Sequence, residues 1–347
     1  MGNRAGSNPV IPTKMEILIP IIFTLFSLIV VIFLAIFFLL FAAFNRRFDQ
    51  HPNLKYFTIK DFPAYDYDEV EFQNERGVNL RGGFYYDDRQ QPHRQLLVFA
   101  HGIGAGHHAY THLIMEFVKK GYLVFAYDNM GSGLSDGKSI RGVPQAILDL
   151  KSALRYLKQT TYATLPITLM GHSWGGYAVI RGAKMDPSIK RIVSLTPFND
   201  VTEMLATYLP WIRNVKPFVR LATFLRFGLL ATSSTSQILR HTSIPTFVIS
   251  GEKDDEIPLK GNYELFQRIP KANLLVRVDL AIGHRHNPYL SFQAETYVID
   301  TILQGTVSMA KEKDQKVRDQ FFQSLDYRLV GEHDLKIIEQ IDSFLKN

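Results

Sequence analysis

Cysteine is absent from all 347 residues. That absence removes disulfides, thiolate zinc sites, iron–sulfur clusters, cysteine nucleophiles, S-palmitoylation and prenylation in one step. It assigns no compartment, because a chain without cysteine folds in reducing and oxidising surroundings alike. Acidic residues are missing locally: between Met204 and Gly251 there is no Asp or Glu, while Arg213, Lys216, Arg220, Arg226 and Arg240 all lie there. The chain nets +6, of which residues 1–44 hold +1 (Arg4 and Lys14 less Glu16), so this stretch supplies the other +5. Internal repeats are also lacking. With 46% hydrophobic and 21% charged residues the composition is that of a folded chain, which excludes wholesale disorder.

What the sequence has in excess is one apolar run. Ile17 to Phe44 are 28 consecutive uncharged residues, 22 of them Ile, Leu, Val or Phe. As a helix the run would extend roughly 42 Å against a hydrocarbon core of about 30 Å. Its 22 large apolar residues favour insertion by roughly 7–13 kcal/mol at most. A signal peptide has a shorter apolar region and a small-residue cleavage site, and Phe41-Ala42-Ala43-Phe44 is a poor one. Residues 17–44 are therefore expected to be a single-pass transmembrane helix, with the bilayer as partner. Arg46, Arg47, Lys55 and Lys60 after it outnumber Arg4 and Lys14 before it, which favours a cytoplasmic C-terminal domain. N-myristoylation is disfavoured, since Gly6 stands where Ser or Thr is required.

After a polar stalk at 45–62, short β-rich runs alternate with helical stretches. Strands are expected at Glu69–Gln73, Asn79–Tyr86, Gln95–Ala100, Leu123–Tyr127, Ile167–Met170, Arg191–Leu195, Thr246–Ser250 and Leu274–Val278. Continuous apolar runs such as Leu96-Leu97-Val98-Phe99 suit strands covered on both faces. The clearest helix is Pro144–Leu157, and the alternation predicts a parallel α/β sheet.

Chemistry collects where these strands end. Ile167–Met170 runs into Gly171-His172-Ser173-Trp174-Gly175-Gly176, followed by a helical stretch. This is the G-x-S-x-G elbow in strand–turn–helix context, which exposes Ser173 at the carboxyl end of the sheet. His172 reads as packing beneath the elbow. The strand Gln95–Ala100 ends in His101-Gly102-Ile103-Gly104-Ala105-Gly106, which lacks the G-x-G-x-x-G and G-K-[ST] patterns of phosphate loops. Two later segments offer partners for a serine: Gly251-Glu252-Lys253-Asp254-Asp255-Glu256-Ile257-Pro258, and Gly283-His284-Arg285-His286-Asn287-Pro288. The order Ser, acid, His is the one expected for this elbow. No histidine spacing suggests a metal, and no cofactor is expected.

From about residue 60 onward the chain resembles the α/β-hydrolase superfamily, nearest the serine aminopeptidase-like and monoacylglycerol-lipase-like hydrolases. The resemblance rests on the elbow, the His-Gly loop, the turn Asp128-Asn129-Met130-Gly131-Ser132-Gly133-Leu134-Ser135, and the loop at 251–258. It implies a mostly parallel eight-stranded sheet with helices on both faces and a small cap. It implies that the backbone N–H groups of Ile103 and Trp174 form an oxyanion hole, and that Asp254 is the triad acid, with Asp255 the fallback. The Asp128 turn is structural in that family. Gly-His favours His284 as the base and His-Asn-Pro favours His286; both stay open. A helix is expected to start near Pro288 with Asn287 as its N-cap.

The expected organisation is a tail at 1–16, the membrane helix, the stalk, and a hydrolase domain at 63–347 with its cap at about 199–243. Arg213, Lys216 and Arg220 share one helical face among aromatic and aliphatic residues, provided Pro217 permits a helical turn on either side. With Arg226 they suggest contact with anionic lipid, the alternative being a cap whose charges are merely solvated. Nucleic acid is not an expected partner. Val307–Arg318 reads as a solvated helix and Leu335–Leu345 as the final amphipathic one. The expected function is a membrane-anchored serine hydrolase cleaving lipid-like or small carboxylic esters through an acyl-enzyme. An amidase or peptidase, or a non-catalytic scaffold, are the alternatives.

Overall fold

The structure is a computed structural model that describes residues 13–90, 92–93, 95–231 and 233–346. Most of the expected tail at 1–16, with Gly2 and Gly6, lies outside the described residues. The apolar run forms helix α1, Lys14–Phe44. Its start is fixed by a capping box: Glu16 N–H donates to Thr13 Oγ1, and Thr13 N–H donates to the Glu16 carboxylate. Pro20 falls inside the helix, in its second turn, where it cannot donate the usual i→i−4 hydrogen bond to Glu16 O. The helix is long and apolar enough to cross a membrane, and most of its Ile, Leu and Phe side chains are exposed. Its C-terminal half touches the α/β domain that follows, with Ile36 buried.

The eight expected strands all form. They are β1 (Asp66–Gln73), β2 (Asn79–Tyr86), β3 (Leu96–Ala100), β4 (Leu123–Tyr127), β5 (Ile167–His172), β6 (Ile189–Leu195), β7 (Thr246–Gly251) and β8 (Val276–Ala281). They make one sheet in the order β1-β2-β4-β3-β5-β6-β7-β8, with β2 antiparallel to β1 and β4 and the other pairs parallel. The last strand sits further along than expected: Leu274 and Leu275 are exposed, and pairing with β7 runs from Val276 to Ala281.

Alternation along β3 shows how a continuous apolar strand feeds two cores. Leu96, Val98 and Ala100 join one cluster with Leu150, Leu154 and Val179; Leu97 and Phe99 join another with Leu113, Phe117 and Ile341. Those partners come from α2 (Thr111–Lys119), α3 (Gln145–Leu157), α4 (Trp174–Arg181) and the C-terminal helix, Leu335–Lys346. The chain leaves β3 towards β4 on one side and returns to β5 on the other. The resulting crevice at the carboxyl ends of β3 and β5 is a topological switch point, where α/β folds bind ligands.

Between β6 and β7 the cap consists of α5 (Val201–Tyr208), a 3-10 stretch at Pro210–Val215, α6 (Lys216–Phe227) and α7 (Thr235–His241). Pro217 falls in the first turn of α6, so Arg213 precedes the helix and does not share a face with Lys216 and Arg220 along it. Phe218 meets Phe33 of α1 with ring centroids 6.3 Å apart. Beyond β7 lies a short helix α8 (Tyr263–Phe266), and beyond β8 comes α9 (Phe292–Thr296), capped by Ser291 and continuing as π-helix over Tyr297–Leu303. The expected start at Pro288 with an Asn287 cap is corrected by four residues: Ser291 Oγ accepts from Ala294 N–H, whereas Asn287 N–H is taken by Glu295. The expected single helix at Val307–Arg318 is two, α10 (Gln304–Met309) and α11 (Gln315–Gln323), with Asp314 capping the second.

Candidate active site

Ser173 occupies the turn between β5 and α4 with φ 54° and ψ −112°, a backbone region that side-chain-bearing residues rarely adopt. Its N–H donates to Leu195 O at 2.8 Å, which pins the strained turn to β6. The flanking glycines are sterically required. A Cβ on Gly171 would lie 2.5 Å from the backbone of Gly175, and one on Gly175 would lie 1.9 Å from Ala100 O. Trp174 heads α4, so its N–H is among the first-turn donors that have no acceptor within the helix. Its indole is fully buried and donates to Val143 O. Ile103 is partly exposed on the loop after β3.

The two histidines left open by the sequence have different surroundings. His286 Nδ1 is 2.8 Å from Asp254 Oδ2, and Asp254 Oδ1 accepts from Glu256 N–H at 2.9 Å and Ile257 N–H at 2.8 Å. Both side chains are buried. Glu256 Oε2 lies 3.7 Å from His286 Nε2. Burial by itself disfavours the imidazolium, but the hydrogen bond and charge of Asp254, joined by Glu256 and Glu295, outweigh it and raise the His286 pKa above the usual imidazole value.

His284 is held by other groups. Its Nδ1 meets Glu295 Oε2 at 3.1 Å and its Nε2 meets Asp334 Oδ2 at 3.1 Å. The hydrogen bond to Glu295, partly opposed by burial and supported by Asp334, raises its pKa as well. With a carboxylate at each nitrogen, His284 has no free lone pair for a serine. Asp255 is equally removed: its side chain is exposed and faces Arg285 at 3.6 Å.

One cavity of about 720 Å³ gathers Ser173, His286, Ile103 and Trp174, and neither His284 nor Asp254 lines it. Asp254 stands behind His286, as an orienting acid does. Among the described residues no group of three His, Asp or Glu side chains is arranged to hold a metal ion.

Sequence reasoning missed the groups that fix these loops. Gly102 N–H donates to Tyr110 Oη at 3.2 Å, Tyr110 Oη lies 2.9 Å from His172 Nδ1, and His172 Nε2 donates to His286 O at 2.8 Å. Burial, reinforced by neighbouring His286, pushes the His172 pKa down to about 3, so the ring is neutral and the chain has one consistent set of donors. His172 thus ties the loop after β3 to the loop after β8, as well as packing under the elbow. Glu295 accepts from Arg285 N–H and Asn287 N–H in addition to holding His284. In the Asp128 turn, Asp128 is buried and accepts from His107 N–H, His107 Nδ1–H and Leu134 N–H. Burial opposes its charge, but His107 and those bonds carry its pKa down to about 2.

The four cap bases are placed differently from one another. Lys216 pairs with Glu203, and Arg220 approaches Asp200 at 3.8 Å. Arg213 borders a surface cleft with these same carboxylates, and Arg226 stacks on the Phe227 ring at 5.7 Å.

An eight-stranded, mostly parallel sheet with a strained serine elbow at its switch point is the α/β-hydrolase fold, and this chain has it. Residues 91–225 match the family described as Serine aminopeptidase, S33. A monoglyceride lipase homologue of monkeypox virus is 31% identical over 123 residues, which are 32% of this chain and 42% of that protein. A monoacylglycerol lipase of Mycolicibacterium smegmatis is 33% identical over 85 residues, 24% of this chain and 30% of that one. The match thus spans less than half the length of either relative. Among solved structures, an esterase of Pyrococcus furiosus superposes with a TM-score of 0.55 at 21% identity, over 76% of this chain and 96% of that one. The chain has the α/β-hydrolase fold and is similar over part of its length to esterases and lipases of that fold.

Proposed function

We propose that this protein is a serine hydrolase that cleaves carboxylic esters of lipid-like or small acyl groups and is anchored in a membrane by α1. The observation that carries the reading is the 2.8 Å contact of His286 Nδ1 with Asp254, beside a cavity that His286 shares with Ser173. In this reading neutral His286 donates Nδ1–H to Asp254 and accepts the Ser173 hydroxyl proton at Nε2. The serine oxygen adds to the ester carbonyl, and the N–H groups of Ile103 and Trp174 receive the oxyanion; one such donor is worth about 10²–10³ in turnover. The alcohol leaves with the proton from Nε2. Water, deprotonated by the same nitrogen, then releases the acid and regenerates Ser173.

A fluorophosphonate probe tests this. It should label the purified full chain and fail on Ser173→Ala; a wild-type protein that takes no label overturns the reading. Cleavage of aminoacyl amides is the second reading, favoured by the family description and by the Glu256 carboxylate near Nε2, which could receive a substrate ammonium. Parallel assays on p-nitrophenyl esters and aminoacyl amides separate the two.

For the membrane, α1 supports anchoring by its length and exposed apolar surface. In the cap, Leu221, Phe224 and Leu225 on α6 are exposed, whereas Lys216 and Arg220 before them are already engaged with Glu203 and Asp200. Cap contact with lipid therefore draws more on these apolar side chains than on Lys216 and Arg220. Leu225→Asp should then weaken vesicle binding more than the paired change Lys216→Ala and Arg220→Ala.

A further inference from the structure

The segment after α1 is laid along the hydrolase domain and does not behave as a spacer. Phe48 N–H donates to Gly131 O at 2.9 Å and Gly133 N–H donates to Phe48 O at 3.0 Å, the pattern of an added strand residue. Arg47 donates to the carbonyls of Ser135, Gly137 and Gly133 at 2.6, 3.0 and 2.5 Å. Further on, Phe57 O accepts from Thr111 Oγ1 at 2.6 Å, and Lys55 N–H donates to Tyr327 Oη at 3.0 Å.

This docking gives the segment a place in the active-site cavity. Leu54, Tyr56 and Phe57 line the same cavity as Ser173, together with Val298, Ile302 and Leu303. The last three lie on the π-helix Tyr297–Leu303. Its wider turn brings residues four and five apart onto one face, and single π turns recur at functional sites. The volume of about 720 Å³ is ample for a chain extending beyond the reacting carbonyl. His112 Nε2, His333 Nε2 and Thr306 Oγ1 are buried without partners in residues that also line the cavity. Hydrocarbon is therefore favoured along Leu54, Val298 and Ile302 rather than over the whole surface.

We propose that residues 48–57, with Val298 and Ile302, form the specificity-determining wall that receives the acyl chain of the ester. The proposal rests on the ester reading above. Both parts of the wall lie outside residues 91–225, so the match to the family does not carry it. It also makes the link between membrane helix and catalytic domain part of the substrate site.

The test uses the full chain in detergent micelles and a series of p-nitrophenyl esters from acetate to hexadecanoate. Each methylene that enters an apolar wall adds about fourfold to kcat/KM. Leu54→Trp should cut kcat/KM on long esters at least about tenfold relative to acetate, the worth of roughly two methylenes. Leu54→Ala, a milder change, should lower the gain per methylene without shifting the acetate value to the same extent. Val298→Phe, from the opposite end of the sequence, should reproduce the Leu54→Trp profile. Fluorophosphonate labelling of each variant reports whether its site is folded. A chain-length profile parallel to wild type in any two variants that still label overturns the wall. A wild type that cleaves no ester of any length instead overturns the reading beneath it, so the two failures are distinguishable.

Discussion

His284 and His286 stand two residues apart on one loop, and both have carboxylate partners, yet only His286 has a nitrogen without a hydrogen-bonded carboxylate. His286 has Nδ1 on a buried Asp254 and itself lines the cavity that holds Ser173. His284 has both nitrogens committed, to Glu295 and Asp334. In the proposed mechanism, what separates the base from the structural imidazole is the number of nitrogens left free, since each carries a raised pKa. The same holds for the adjacent acids: Asp254 is buried with two backbone N–H donors on its second oxygen, whereas Asp255 is exposed.

The comparison is broken most forcefully by exchanging the two sites' fates. His286→Ala should lower kcat by about 10⁶ and Asp254→Asn by about 10⁴, as removal of a triad base or of its orienting acid does. His284→Ala should stay within about tenfold of wild type and keep fluorophosphonate labelling, because the lost groups act on loop geometry and not on the reacting atoms. Steady-state kinetics on a p-nitrophenyl ester check all three, and a larger loss in His284→Ala than in His286→Ala would reverse the assignment. Asp255→Asn should leave kcat near wild type.

A step smaller is the effect on stability. His284 gives up two charge-assisted contacts when truncated, each worth about 1.5–3 kcal/mol at most. Its folded pKa is raised, so this stabilisation is complete below the unfolded value of about 6.5 and is lost as pH rises through the folded pKa. The difference in Tm between wild type and His284→Ala should be largest below about pH 6.5 and shrink as pH rises through the raised folded pKa. A difference that grows with pH would contradict the doubly paired imidazolium.

Why the sequence left the two histidines open is instructive. Gly-His and His-Asn-Pro are local patterns, but the partners that decide between them, Glu295 and Asp334, come from 11 and 50 residues further along the chain. Much that is encoded locally was legible: the later strands from apolar runs, the elbow from its glycines, the final helix from its periodicity. The placement of β8 slipped because Leu274-Leu275 is as apolar as the strand it precedes. The α9 start slipped because Asn287 and Ser291 are both competent caps, and Glu295 takes the N–H groups of the earlier turn. The acid-free window of the cap misled in another way. Glu203 and Asp200, which engage Lys216 and Arg220, sit just before Met204, where the window begins. The stalk looked like a spacer because its contacts are mostly backbone carbonyls around Gly131–Gly137, which no side-chain pattern announces.

Glu256 sharpens the comparison by its smallest expected effect. Its carboxylate lies 3.7 Å from Nε2 of His286, the nitrogen the proposed mechanism uses, while Asp254 holds Nδ1, Glu295 adds charge nearby and neutral His172 packs against the ring. Only the neutral imidazole can accept the serine proton, so the acid limb of kcat/KM reports the His286 pKa and should lie above the usual imidazole value. Glu256→Gln removes one of the charges that stabilise the imidazolium, and the limb should move to lower pH while the plateau changes little. The shift is modest because Glu256 is half exposed and water screens it. His284→Ala, which alters charges on the far side of the loop, should leave the limb in place. A limb that moves with His284 and ignores Glu256 would show that the proton is taken by the other imidazole.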